Sequence, residues 1–391
     1  MEVGNRKMKI AIDAAGPLSS SEKGGISYFL SDFLSALKDT DAKNSYLIFG
    51  YFWHNYREKR RRIVIPSSPN FTLKTLSLPR RIVKNLEEKL HIPVIEQFLT
   101  KDNISLFHSI SAQEMPYFRK IKSVYSLYDL AYEINPSWYK EKWYSYVKKS
   151  AVRADMVVTT SFSTKNDIVN LYGISPDKIR VVYLGVNRTL FNSSCTSHNE
   201  ISIKKYGLPE KFILTVATSV RRKNIPLLIS AYDSMSGKGK REKLVIVAGS
   251  HNVKSEIDEI VRERNIQNKV LCLSEVPTED LADFYRMATL FIFPSLYEGF
   301  GLPVIEAMAC GCPTILSNIS SLPEVGGDAA VLVDPHNEEE IIHTMEEILL
   351  DEKRRDEMRI RGLERANFFT WEKTVKKTLK VYHEVIYEED G

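Results

Sequence analysis

Cysteine is scarce in this chain: four thiols stand among 391 residues, at Cys195, Cys272, Cys310 and Cys312. They are too few and too scattered for a disulfide scaffold. Cys310-Gly311-Cys312 also lacks the two-residue gap of a zinc or redox pair, so ordinary reduced thiols are expected. Long apolar runs are missing too. No stretch approaches the ~18 residues of a membrane-spanning helix, and the best candidate, Leu290 to Cys310, is broken by Glu298, Gly299, Pro303 and Glu306. The opening MEVGNRKMKIAIDAAG has an apolar run too brief for a signal peptide and reads as a first strand. A cytoplasmic location is expected, peripheral at the inner face of a membrane. The eight histidines do not cluster with acids or cysteines, so no metal is expected. Asp39-Thr40-Asp41 fits a D-x-D metal pattern but follows a helix on a loop, away from any strand end. G-x-G-x-x-G is absent, which argues against hydride chemistry. Residues 237–240, Gly-Lys-Gly-Lys, lack the strand, spacing and Ser/Thr of a P-loop.

What is present suits a folded protein of two or three domains at ~150 residues each: 43% of residues are apolar and 27% charged. The net charge of +4 hides an asymmetry. Residues 1–190 hold 29 Lys/Arg against 18 Asp/Glu, and residues 191–391 hold 25 against 32. The basic half is densest at Arg57-Glu58-Lys59-Arg60-Arg61-Arg62 and again at Arg80-Arg81-Ile82-Val83-Lys84. That points to an anionic partner for one lobe, such as lipid headgroups or a polyphosphate acceptor. No recognition-helix pattern, RNP-like motif or zinc finger accompanies it, so nucleic acid is not the expected partner.

Short apolar runs alternate with amphipathic stretches along the whole length. Strands are predicted at 9–14, 46–50, 105–110, 123–128, 156–160 and 179–184, then at 212–217, 244–248, 270–273, 290–294, 313–316 and 329–333. Several, such as LVIVAG and TLFIFPS, are nearly all apolar, as strands buried on both faces are. Apolar residues at spacings of three and four (Ile26, Phe29, Leu30, Phe33, Leu34, Leu37) mark the intervening helices. The alternation predicts parallel α/β sheets. The polar gap from Phe191 to Glu210 reads as the linker. It divides the chain into an N-terminal domain (1–195), a C-terminal domain (196–371) and a last helix (372–391) that could cross back to the first domain.

Open parallel sheets bind ligands at the carboxyl ends of their strands. The most informative turn follows the 290–294 strand and runs Ser295-Leu296-Tyr297-Glu298-Gly299-Phe300-Gly301-Leu302-Pro303-Val304-Ile305-Glu306. Gly299 and Gly301 allow tight turns and close ligand approach, and Pro303 suits a first helical turn. The helix that follows offers free N–H groups to a phosphate or pyrophosphate. Glu306 is expected in its first turn, accepting ribose hydroxyls, with Glu298 on the turn itself within reach of a sugar. Arg222 and Lys223, after the 212–217 strand, are suited to a leaving diphosphate, one as a planar fork and the other as a point charge.

EGFGLPVIEAMACGCP resembles the paired-glutamate signature of retaining glycosyltransferases of family 4. Other segments are similar in the family's order: Gly24-Gly25-Ile26, Phe107-His108-Ser109, Leu127-Tyr128-Asp129-Leu130, Thr159-Thr160-Ser161-Phe162-Ser163, Gly185-Val186-Asn187 and Arg221-Arg222-Lys223-Asn224. The resemblance spans roughly residues 8–370. It implies the GT-B fold, two Rossmann-like doubly wound domains facing across a cleft. It also implies catalytic roles for Glu298, Arg222 and Lys223, and donor binding by Gly25, Val276 (beside the nucleobase), Gly299, Phe300, Gly301, Leu302 and Glu306. The family usually has His where this chain has Tyr128. Tyr128, Asp129 and His108 are the candidates for sugar or acceptor contact.

The expectation that follows is a retaining, metal-independent hexosyltransferase without a cofactor. It would take a GDP- or UDP-linked sugar, mannose ahead of glucose, galactose, rhamnose and N-acetylglucosamine. The acceptor would be a glycan or lipid-linked saccharide in cell-surface polysaccharide or lipopolysaccharide assembly. Two other functions suit the same architecture: a non-catalytic partner in a glycan-assembly complex, and a nucleotide-sugar epimerase or phosphorylase.

Overall fold

Apolar runs too short for helices, separated by amphipathic ones, leave each strand to be covered by the helix that follows it. The computed structural model describes residues 7–19, 25–110, 114–139, 145–194, 197–236 and 242–387; Gly24, Cys195 and the segment 237–240 lie outside them. The first sheet contains β1 (Lys9–Asp13), β2 (Ser45–Phe52), β3 (Phe71–Ser77), β4 (Leu106–Ser109), β5 (Lys122–Ser126), β6 (Met156–Thr159) and β7 (Ile179–Val181). Its strands are parallel, in the order β3-β2-β1-β4-β5-β6-β7. The second sheet contains β8 (Phe212–Ala217), β9 (Lys243–Ala248), β10 (Val270–Ser274), β11 (Leu290–Phe293), β12 (Thr314–Ser317) and β13 (Val331–Val333). It is also parallel, ordered β10-β9-β8-β11-β12-β13.

In each sheet the strand order reverses once, between β1 and β4 and between β8 and β11. Helices leave opposite faces at such a point and open a crevice above the strand ends. β3 is the strand that the apolar pattern missed. FTLKTLS has only Phe71, Leu73 and Leu76 apolar among four polar residues, and at the sheet edge only Phe71 is buried. The stretch expected as a linker contains a helix, Ser197–Tyr206, that docks on the second domain. Tyr206 packs edge-on against Phe284 at 5.2 Å, and Ser202 donates to Asp283 at 2.6 Å. A polar sequence thus conceals a helix whose partners are an aromatic ring and the buried carboxylates of Asp283 and Asp280, the latter accepting from Tyr206 at 2.6 Å. Asp41 of the D-x-D pattern is 7% exposed and accepts from the Lys43 N–H, Asn44 and Tyr46, as a loop anchor.

Two chain crossings join the domains. At the first, the Val186 N–H donates to the Phe369 carbonyl of the second (3.2 Å). A Cβ on Gly185 would lie 2.3 Å from the Trp371 nitrogen, so only glycine lets the two crossings touch. The last helix, Trp371–Tyr387, then returns to the first domain. Its buried face, Val375, Thr378, Val381, Tyr382 and Val385, repeats at three and four residues and packs on the helix Gly25–Thr40.

Candidate active site

Two loops meet where the second sheet reverses. One follows β8 and carries Arg222 and Lys223; the other follows β11 and carries Glu298. They are fastened by a hydrogen bond from the Leu296 N–H to the Arg222 carbonyl (2.9 Å). Asn224, in left-handed backbone at φ 56°, ends the first loop and donates to the Pro335 carbonyl at 2.7 Å. Ser320 and Ser321 hold the Glu298 backbone: its N–H donates to Ser320 Oγ (2.9 Å), and Ser321 Oγ donates to its carbonyl (2.9 Å).

Between these loops lies a charge cluster. Lys223 Nζ donates to Glu298 Oε1 at 2.5 Å, and Arg222 Nη1 donates to Oε2 at 3.2 Å. The side chains are 6%, 15% and 8% exposed in the order Lys223, Arg222, Glu298. Burial pushes the Glu298 carboxyl up, but Lys223 and then Arg222 outweigh it and hold the group below its ordinary range. For Lys223 burial prevails over Glu298, and its ammonium is pushed down to about 8.

Gly301 begins the helix Leu302–Ala309 at φ 104°, a conformation that suits glycine, with Pro303 in the first turn. Glu306 is the fifth helical residue, one turn deeper than the expected first turn. It is half-buried and takes a hydrogen bond from Tyr285 (3.2 Å). Burial raises its carboxyl to about 7; the Tyr285 hydroxyl opposes the shift, and Asp32 of the other domain adds to it. Val276 follows β10, two strands from β8 on the same rim, half-buried against the core.

Gly299 lies where the second domain presses on the Tyr128–Asp129 loop of the first. A Cβ there would lie 2.0 Å from the Tyr128 carbonyl and 2.7 Å from Asp129 Cβ. The Thr160 and Thr164 hydroxyls donate to its carbonyl at 3.1 and 3.3 Å. Asp129 therefore stands opposite the Arg222–Lys223–Glu298 cluster. Gly25 starts the first domain's long helix, Gly25–Thr40.

Three expected contacts are placed otherwise. His108 is 1% exposed, with Nδ1 at 2.6 Å from the Tyr382 hydroxyl and Nε2 at 2.8 Å from Ser126. Burial pushes its imidazole down to about 3, so it is a neutral core residue without access to a sugar. Tyr128 spends its hydroxyl on the Ile110 carbonyl (2.6 Å) and packs edge-on against Phe29. The Phe300 ring is buried beside Phe369 and Tyr183, so its side chain faces the core and not an opening. The sequence reading missed Tyr285, Asp32 and Tyr297. Tyr285 sits in an apolar helical stripe that hides its hydroxyl, and Asp32 and Tyr297 act on residues of the opposite domain.

Residues 23–190 match the family described as Glycosyltransferase Family 4, and residues 198–365 match Glycosyl transferases group 1. The O-antigen chain mannosyltransferase B of Escherichia coli is 30% identical over 267 residues, covering 67% of this chain and 70% of that protein. The chain belongs to glycosyltransferase family 4. A serotype-specific mannosyltransferase of Escherichia coli, WbdA, is 32% identical over 228 residues, which is 57% of this chain but 28% of that longer protein. Among solved structures, the sucrose-phosphate synthase of Thermosynechococcus elongatus superposes with TM-score 0.75 at 21% identity, covering 98% of this chain and 100% of that one. Anabaena HepE, in complex with UDP and glucose, gives 0.69 at 16% identity, covering 96% and 99%. These likenesses place the two domains in the GT-B fold. For this family-4 chain, the loops after β8 and β11 are the candidate donor site.

Proposed function

We propose that the protein is a retaining, metal-independent hexosyltransferase that moves mannose from a nucleoside-diphosphate sugar to a glycan or lipid-linked acceptor in cell-surface polysaccharide assembly. The observation that carries this is the joining of Arg222, Lys223 and Glu298 beside a glycine-led helix at the strand-order reversal. The base lies toward Val276 and the diphosphate toward Arg222, Lys223 and the Leu302 N-terminus. At ~4.8 Å per strand, the two strands separating these points give about 10 Å, a span that suits a nucleotide. An arriving diphosphate competes with Glu298 for both cations and releases the carboxylate to the sugar hydroxyls. Glu306 accepts from the ribose.

As the sugar–phosphate bond breaks, Arg222, Lys223 and the helix N–H groups meet the charge that develops on the diphosphate. The acceptor oxygen attacks from the same face, and its proton passes to the departing phosphate oxygen. Apposition of Gly299 with Tyr128 excludes water that would hydrolyse the donor. The mannosyltransferase relatives support the sugar assignment.

The basic first domain supports work at an anionic membrane. Trp53, Val64, Ile82 and Leu90 are 55%, 79%, 53% and 62% exposed, among exposed Arg57, Arg60, Arg61, Arg62 and Arg81. No helix among the described residues is long and apolar enough to cross a bilayer. The reaction is tested by incubating GDP-mannose with a lipid-linked saccharide, with and without EDTA, and reading the product by proton NMR. An α-linked product insensitive to EDTA is expected; a β-linked product, or loss of transfer in EDTA, contradicts the proposal.

A further inference from the structure

A cavity opens in the first domain, lined by none of the residues of the charge cluster. It holds about 500 Å³ and lies over the carboxyl ends of β1, β2 and β3. That volume is in the range of small-molecule sites. Its floor is Asp13, 8% exposed at the end of β1, beside Gly50 of β2. A Cβ on Gly50 would fall 2.6 Å from Ala15 Cβ, so glycine is what allows β2 to press on the turn after β1 and close the floor. The rim is of a different character: His54, Lys59 and Arg81 stand around it, together with the exposed indole of Trp53. One carboxylate at the bottom and three basic side chains at the mouth make an asymmetric site. Strand order places its Asp13 edge two strands, or about 10 Å, from the Tyr128–Asp129 loop that meets Gly299, with the basic rim after β2 and β3 three to four strands away.

We infer that this cavity recognises a phosphate-bearing saccharide as the acceptor, with Lys59 and Arg81 on the phosphate, Trp53 against a sugar face and Asp13 accepting a sugar hydroxyl. The inference rests on the reading of the chain as a sugar transferase and adds the chemistry of the second substrate. A planar guanidinium and an ammonium converging on one opening match a phosphate ester better than a neutral glycan, which would leave both charges without a counterpart. An indole on the rim offers a large apolar face to a sugar ring. The phosphate can belong to a lipid-linked diphosphate saccharide or to a free sugar phosphate, which carry the same anionic group beside a sugar.

The test is titration calorimetry of the full chain with three probes: mannose, mannose 6-phosphate, and mannose linked to an undecyl diphosphate in neutral micelles. Wild type is compared with Lys59→Gln/Arg81→Gln and with Trp53→Ala. All three side chains are exposed or half-buried, and thermal melting checks that the variants fold. At least one phosphorylated probe is expected to bind tenfold or more tightly than mannose. The double charge variant should lose that advantage, while Trp53→Ala should weaken every probe that binds. If only the undecyl diphosphate probe shows the effect, the phosphate comes from a lipid carrier; if mannose 6-phosphate shows it, a free sugar phosphate suffices. Equal binding of all three probes, no binding of any, or an advantage that survives the double variant overturns the inference. GDP-mannose binding, measured in the same preparations, separates this from failure of the transferase reading. Donor binding without phosphate recognition overturns the acceptor assignment alone; absence of donor binding removes the transferase reading itself.

Discussion

Lys223 and Glu298 bury opposite charges against each other, with Arg222 as a third member, and that arrangement makes each dependent on the others. Removing one member of a buried pair leaves the other uncompensated, at a cost of about 3 kcal/mol or more. Glu298→Gln should therefore lower stability by about 3 kcal/mol in urea unfolding at pH 6. The loss should shrink at pH 9, because Lys223, pushed down to about 8, is then mostly neutral in the wild type as well. The two shifted groups also set a pH profile. On the proposed role, Glu306 accepts ribose hydroxyls best as a carboxylate, so donor use is expected to fall below about 7, where burial keeps it protonated. On the proposed role, Lys223 meets the diphosphate as an ammonium, so donor use is expected to fall again above about 8. A bell-shaped profile of kcat/KM for the donor is expected, with limbs near those values. Glu306→Gln should abolish the acid limb, and an unchanged acid limb in that variant would assign it elsewhere. The linkage for stability has the opposite sense to that of an ordinary paired carboxylate. The folded state holds the Glu306 proton up to about 7, against 4.5 for an unperturbed carboxyl, so stability declines as pH rises through that window. The Tm of Glu306→Gln relative to wild type should rise between pH 5 and pH 8.

The turn from Glu298 to Glu306 is the element on which the site depends, and its two glycines serve different ends. Gly301 supplies a left-handed φ; Gly299 supplies the absence of a side chain where the domains touch. Gly299→Ala should cost about 1–3 kcal/mol of stability through overpacking. It should also separate the Tyr128 loop from the cluster, so that kcat falls at least tenfold while donor Kd, set within the second domain, changes little. Equal loss of both would mean that the residue acts through the donor loop itself. Tyr297 makes a second junction. Its hydroxyl donates to Asp167 at 2.7 Å and accepts from the Leu130 N–H at 3.3 Å. Tyr297→Phe and Asp167→Asn should each lower kcat, and the double variant should do no worse than the stronger single one. This turn was legible in the sequence because glycine, proline and the helix start act within a few residues of one another. The start itself was misplaced relative to Glu306, which lies a turn further in, since the helix begins at Leu302. Tyr297 with Asp167 was not legible: 130 residues separate the partners, and nothing local marks either one. The edge strand β3 and the helix Ser197–Tyr206 escaped for a related reason. Each is too polar to stand out until its partner is in place.

Across the whole molecule, the two domains repeat one topology with unlike surfaces. The first is basic and carries exposed apolar residues near its outer strands; the second is acidic overall and carries the charge cluster at its strand-order reversal. The parallel α/β class was legible from strands that are apolar throughout, because burial on both faces leaves no room for alternation. The way the domains meet was not, since it rests on single contacts such as the Glu324 carboxylate accepting from the Phe162 N–H at 2.9 Å across 162 residues of chain. Electrostatic attraction to a membrane predicts binding to vesicles of phosphatidylglycerol and phosphatidylcholine that falls steeply as salt rises, because exposed charges are screened. Binding indifferent to salt, or none, would remove the anionic surface from the account. The central claim is that the loops after β8 and β11 bind a nucleoside-diphosphate sugar. It is tested most directly by titration calorimetry of GDP-mannose, UDP-glucose and their free nucleotides into wild type and Glu306→Ala. One nucleotide class is expected to bind the wild type, and Glu306→Ala to weaken it tenfold or more. Binding that is unchanged in Glu306→Ala, or no binding of any nucleotide to the wild type, would contradict it.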